Sequence, residues 1–175
     1  MPRFYIKNIE VLSEKNFVEP IAGEEHFIGA LYTLLSHVIP SDNPLYYLWK
    51  RPLTFSGRGI DSIGVDKEEK DLEPSNLISL EYRYSFDKEE EFNHLLMINH
   101  TIICWDFKEM EINDQVSDHA NYMGQITDLL QHEGERLGFI IGKIKKQTEN
   151  RHSGHKVNIL SLKKLIQASF GIKWI

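Results

Sequence analysis

The chain has 175 residues, 41% of them hydrophobic and 26% charged, and a formal net charge of −6. That length suits one domain, residues 1–175, which buries roughly 70% of its unfolded surface and needs no staples, and the composition excludes a disordered chain. A lone cysteine, Cys104, excludes an internal disulfide, and the pattern C-x-x-C of a zinc finger is missing.

The opening Met1-Pro2-Arg3-Phe4-Tyr5-Ile6-Lys7 is interrupted by charge before an apolar core develops, so it does not read as a signal peptide. No uncharged apolar stretch approaches the ~18 residues a membrane helix needs. The expectation is a cytoplasmic protein without membrane contact. Charge is unevenly spread. Nine Lys or Arg against Glu149 make the last forty residues +8, leaving −14 for the first 135. A basic final third can track phosphates or complement acidic elements of its own fold.

In chain order, Phe4 to Leu12 alternates as a first strand. Glu24 to Val38 places apolar residues at 27, 28, 31, 34, 35 and 38, a helical spacing that Pro40 stops. Pro44 to Pro52 is an aromatic-rich connection, and Thr54 to Val65 is strand-like with glycines at 57, 59 and 64. The charged run Asp66 to Asn76 reads as an exposed loop. Leu77 to Ser85 is a strand, rich in β-branched and aromatic residues. Asp87, with Glu90 three positions on, has the form of a capping box for a helix over Lys88 to Ile98. His100 to Phe107 is a nearly continuous apolar run, as expected of a strand buried on both faces.

Asp114 to Gln131 carries Val116, Met123, Ile126 and Leu130 at roughly helical spacing, which predicts another helix. Leu137 to Ile144 and Lys156 to Leu160 are strands, and Leu162 to Phe170 is a last helix ended by Gly171. Alternating strands and helices predict an α/β fold, a central mixed β-sheet flanked by helices on both faces. Leu77 to Ser85 and Thr101 to Phe107 are expected as interior strands of it, joined by a right-handed parallel crossover through the helix from Asp87.

The chemistry concentrates in Gly59-Ile60-Asp61-Ser62-Ile63-Gly64, followed twenty residues after Asp61 by Glu81-Tyr82-Arg83. Residues two apart on a strand share a face, so Glu81 and Arg83 project together, about 7 Å apart. Leu80, Tyr82 and Tyr84 point the other way. If Asp61 lies on a neighbouring strand, its carboxylate meets that of Glu81. Two carboxylates with waters completing an octahedron make a Mg²⁺ site, and Arg83 can stabilise charge on phosphate oxygens.

A GxDxxG turn followed by an acid-x-cation strand resembles the PD-(D/E)xK, restriction-endonuclease-like nuclease superfamily. Glu81-Tyr82-Arg83-Tyr84, Glu91-Phe92-Asn93-His94 and Ile102-Ile103-Cys104-Trp105-Asp106 together are similar to nuclease-like domains attached to GHKL-type ATPases in bacterial defence systems. The likeness covers roughly residues 55 to 110, with a fainter echo in Lys156 to Leu165. It implies metal-dependent hydrolysis of nucleic acid, DNA ahead of RNA, with Mg²⁺ or Mn²⁺ on Asp61 and Glu81, and an ATPase or other defence-system protein as partner. An acid of the first helix sometimes joins the pair, and Glu24 or Glu25 could fill that place. The family's lysine is replaced by Arg83, whose pKa above ~12 bars it from accepting a proton. An active nuclease and a nuclease-like module that only binds both stay open.

Asp106 and Lys108 form a rival acid-x-Lys at a strand end. His94 reads as a buried group fixing a turn and has no zinc spacing to His100. His152 and His155 fall in a solvated loop, and Asp118-His119 and His132-Glu133 read as exposed positions on a helix. Cys104 reads as core. Walker, Gly-x-Ser-x-Gly and Rossmann patterns are missing, so ATP binding by this chain is not expected. The alternative from another class is an acidic immunity protein that mimics nucleic acid to a basic nuclease toxin.

Overall fold

The apolar run Thr101–Phe107 becomes β5, the buried centre about which the fold is organised. The computed structural model describes residues 16–17, 19, 25–56, 60–89, 92 and 95–174. The strand expected at Phe4 to Leu12, and Glu24 and His94, lie outside them. β5 is flanked by two parallel neighbours, β4 (Ile78–Phe86) and β9 (Val157–Ser161). Outward from β4 run β3 (Ser62–Asp66) and β2 (Lys50–Pro52), both antiparallel. Outward from β9 run β8 (Glu135–Lys146), β7 (Tyr122–His132) and β6 (Gln115–Ser117), also antiparallel. The result is one mixed sheet in the order β2-β3-β4-β5-β9-β8-β7-β6. Two further short strands, β1 (Asn16–Phe17) and β10 (Lys173–Trp174), pair in parallel.

Two helices accompany the sheet. In α1 (Glu25–Val38) the buried face is Ile28, Gly29, Tyr32 and Ser36. α2 (Leu162–Phe170) starts at Ser161, whose hydroxyl accepts the Lys164 N–H, and ends at Gly171 with φ 66°. That left-handed C-cap is one glycine adopts without a Cβ penalty. Both helices pack into one cluster, with Ile28 and Tyr32 from α1 and Leu162, Leu165 and Ile166 from α2 meeting Leu80, Tyr82, Ile103, Trp105 and Leu160. Burying each such side chain contributes about 1.5–3 kcal/mol. Alternate residues of the same strands, Ile102, Cys104 and Ile159, join Phe86, Phe92, Leu96, Met110 and Phe139 in a second cluster. Phe92 and Leu96, between β4 and β5, and Met110, between β5 and β6, cover that side. No described helix is long and apolar enough to cross a membrane.

Two expected helices are not formed. Lys88 to Ile98 is built, in its described part, of turns around a bridge between Phe92 and Asp118. Asp87 does not cap a helix there. Its Oδ1 accepts the Glu89 N–H at 3.1 Å, and its other oxygen accepts from Lys108. The backbone of Phe92 instead donates to Ser117 and accepts from His119. Asp114 to Gln131 is not helical either: it forms β6, a turn and β7. Val116, Ile126 and Leu130 fit a helical repeat but also share one parity, the period of a strand. The tie is broken by Asp118, buried rather than exposed, whose carboxylate accepts backbone N–H groups from Leu96, Ala120 and Tyr122. Asn121 completes the turn at φ 63°. β4 and β5 are thus parallel, as expected, but the described residues of the connection between them are turns and a single bridge.

Candidate active site

β3 pairs with β4 only from Gly64–Ile78 to Ser62–Leu80. Beyond Leu80 the outer edge of β4 has no ladder partner from β3, so its next outward N–H needs another acceptor. Asp61, the residue just before β3, supplies it: its Oδ2 accepts the Tyr82 N–H at 2.8 Å. The side chain thereby takes the place of a strand carbonyl. The departing chain opens a cavity of about 530 Å³ lined by Asp61, Glu81, Tyr82 and Arg83, by Phe55 and Ser56, and by Glu25, His26, Gly29 and Ala30 of α1.

All three residues singled out in the sequence therefore line one cavity, and Glu25 joins them. Glu81 is 3% exposed. Burial, and then the negative charge of Asp61, push its carboxyl up to about 7, against the opposing pull of Arg83 and of an Asp61 backbone hydrogen bond. The guanidinium of Arg83 lies 5.0 Å from the centre of the Phe92 ring, on whose face it rests. Gly29 lets α1 approach closely here: a Cβ at that position would fall 2.7 Å from the Tyr82 ring.

The rival motif is spent elsewhere. Asp106 accepts from the Ser161 hydroxyl at 3.1 Å and lies 4.0 Å from the Lys164 ammonium, and Lys108 pairs with Asp87. Neither lines the cavity. Nor does any residue of the basic final third, where Arg136, Lys163 and Lys164 face Glu111, Glu19 and Asp106. Cys104 is fully buried, its thiol pushed up by burial, and its Sγ donates to the Leu160 carbonyl.

His26 and Phe55 carry functional character that sequence reading passed over. For His26 a signal existed: Glu25, His26, Gly29 and Ala30 form a polar and small stripe at i, i+3, i+4 spacing on an otherwise apolar helix. A second unforeseen pairing joins His100 and His155, whose rings meet edge-on at 5.2 Å. His155 Nε2 lies 2.6 Å from the Asn99 carbonyl, and His100 Nδ1 accepts the Ser79 N–H.

Among the described residues no group of three or more His, Cys, Asp or Glu side chains stands together as a metal site. The donor set for a cation is the Asp61–Glu81 pair. Its hard oxygen donors fit Mg²⁺ or Mn²⁺, which keep several waters and need only one or two carboxylates. Glu81, buried and raised by the charge of Asp61, also marks a place where positive charge is favoured. Compared with protein-family models, with curated proteins and with solved structures, the chain matches none.

Proposed function

We propose that this chain is a metal-dependent nuclease-like domain that hydrolyses phosphodiester bonds of nucleic acid at the cavity beside β4. The convergence of Asp61, Glu81 and Arg83 on that one cavity carries the reading. An immunity-type module has no call for a buried carboxyl raised by a second acid in the same cavity. The reading extends to a restriction-endonuclease-like frame and to a defence-system ATPase as partner, for which the support is the resemblance of residues 55 to 110, and to a cytoplasmic setting.

Asp61 and Glu81 would hold Mg²⁺ or Mn²⁺, which supplies Lewis-acid polarisation of the phosphodiester and acidifies a bound water. Asp61 is oriented for this by the Tyr82 N–H, which fixes one of its oxygens. Glu81 holds a proton until the pH reaches about 7 and must release it to become a ligand. Arg83 remains protonated throughout and offers its guanidinium to the charge that builds on phosphate oxygens. Proton transfer falls to another group, because Arg83 cannot accept one.

Calorimetric titration of Mn²⁺ into wild type and Asp61→Ala tests the site. Binding in wild type only, tighter at pH 8 than at pH 6, is the expected result. Equal heats in both proteins, or none in either, overturn the metal site. Cleavage of plasmid, single-stranded DNA and RNA in Mg²⁺, Mn²⁺ and EDTA tests the activity. If the chain neither cuts nor binds nucleic acid at low salt, the acidic immunity-type reading takes its place.

A further inference from the structure

The chemistry assigned to Asp61, Glu81 and Arg83 leaves one wall of the cavity unused. That wall is Phe55, 60% exposed on the segment between β2 and β3. Its ring lies stacked against the ring of Tyr82, with centroids 6.3 Å apart and planes 29° apart. Tyr82 is buried and wedged against Gly29, so it forms a firm backing.

The segment that carries Phe55 is itself held. Leu53 and Thr54 both donate their N–H groups to the Ile63 carbonyl, at 2.8 and 3.2 Å. Ser62 donates its hydroxyl to the Thr54 carbonyl, and the Ser56 N–H donates to the Asp61 carbonyl at 2.8 Å. The last bond ties the position of the aromatic ring to the backbone of the acid. An exposed apolar residue alone needs no explanation. This one is fixed, backed by a second ring, and set on the rim of a cavity that also holds two acids and an arginine.

We propose that Phe55 is a stacking platform for one unpaired base, so that the cavity takes a nucleotide unit of single-stranded nucleic acid in preference to duplex. This inference rests on the reading of the same cavity as a phosphodiester site. The volume of about 530 Å³ suits one such unit. Stacking on an aromatic side chain requires an accessible base face, which a single strand offers and a duplex yields only by extruding the base. Stacking discriminates poorly among bases, so tolerance of sequence follows.

Fluorescence anisotropy with short phosphorothioate strands, which resist cutting, tests it in Mg²⁺ at low salt. The arms are single-stranded DNA, single-stranded RNA, duplex DNA and a mononucleotide competitor. The expected results are single-strand binding about tenfold tighter than duplex binding, and a loss of about tenfold in Phe55→Ala. Phe55→Leu retains apolar packing on Tyr82 but lacks a π face, so it should lose as much, while Phe55→Trp should keep wild-type affinity. If Phe55→Ala fails to fold, Phe55→Leu decides. Wild-type affinity in Phe55→Leu, or duplex bound as tightly as single strand, overturns the platform. So does a mononucleotide that binds as tightly as the strand, which assigns the cavity to free nucleotides. Phe55-dependent strand binding without cleavage of ordinary strands sinks the hydrolytic reading alone. Cleavage indifferent to Phe55, with equal rates on duplex and single strand, sinks the platform alone.

Discussion

Glu81-Tyr82-Arg83 and Asp106-Phe107-Lys108 have the same form and lie on adjacent parallel strands, four register positions apart, with Glu81 opposite Ile102 and Ser85 opposite Asp106. Their surroundings set them apart. β4 loses its outer partner at Leu80, and the space that opens gathers Asp61, α1 and the Phe55 segment around Glu81 and Arg83. β5 is enclosed by β4 and β9, and its acid and lysine lie at the strand end, where Ser161, Lys164 and Asp87 engage them. The acid-x-cation motif of β4 borders a cavity, whereas that of β5 is held in polar contacts at the strand end.

The strongest way to break this contrast is to neutralise one acid from each motif. Glu81→Gln should lower Mg²⁺-dependent cleavage by on the order of 10²–10³-fold, while Asp106→Asn should stay within about threefold of wild type. The plasmid and single-strand assays read both. The reverse ranking would move the active site to β5.

The cations offer a smaller effect. Arg83→Ala should lose about 10²-fold, by analogy with removal of a transition-state donor. Arg83→Lys should retain or raise activity, since it keeps the charge and could also carry a proton. Lys108→Ala should leave the rate unchanged. Loss of activity in Arg83→Lys comparable to that in Arg83→Ala would show that charge alone does not account for Arg83.

Stability against pH separates the two regions by sign. The Glu81 carboxyl is raised from 4.5 to about 7, first by burial and then by Asp61, so the folded state binds its proton more tightly than the unfolded chain. Its contribution is fully present below pH 4.5 and is lost as pH rises through about 7. Denaturant titrations should therefore show Glu81→Gln gaining on wild type from pH 5 to pH 8, by at most about 3 kcal/mol. Asp87 is shifted the other way: the hydrogen bond from Lys108 lowers it below its ordinary 3.8. Asp87→Asn should cost stability at neutral pH and cease to matter as pH falls through the folded pKa. A Glu81→Gln variant that gains nothing at pH 8 would show that burial and the charge of Asp61 do not raise the Glu81 carboxyl.

Much of the frame was legible because its signals are local. The stop at Gly171 marks the end of α2 without reference to the rest of the chain. The apolar run of β5 and the alternation in β4 identify buried strands in the same way. Residues 88–98 and 114–131 were misread for a shared reason. The deciding interactions are the bridge from Phe92 to Asp118 and the Leu96 N–H on the Asp118 carboxylate, contacts between residues far apart in the chain, made by a residue that reads as polar surface.

For the site, sequence determined the residue types and their spacing: an acid at a glycine turn, then Glu81 and Arg83 on one strand face. That followed from the two-residue period of a strand, which holds in any fold. Only the tertiary structure decided that β3 parts from β4 just where Asp61 can take over a ladder hydrogen bond, and that Glu25, His26 and Phe55 border the space so formed. Burial and proximity create the raised carboxyl of Glu81 and the stacking of Phe55 on Tyr82, and neither belongs to a residue until its neighbours are in place.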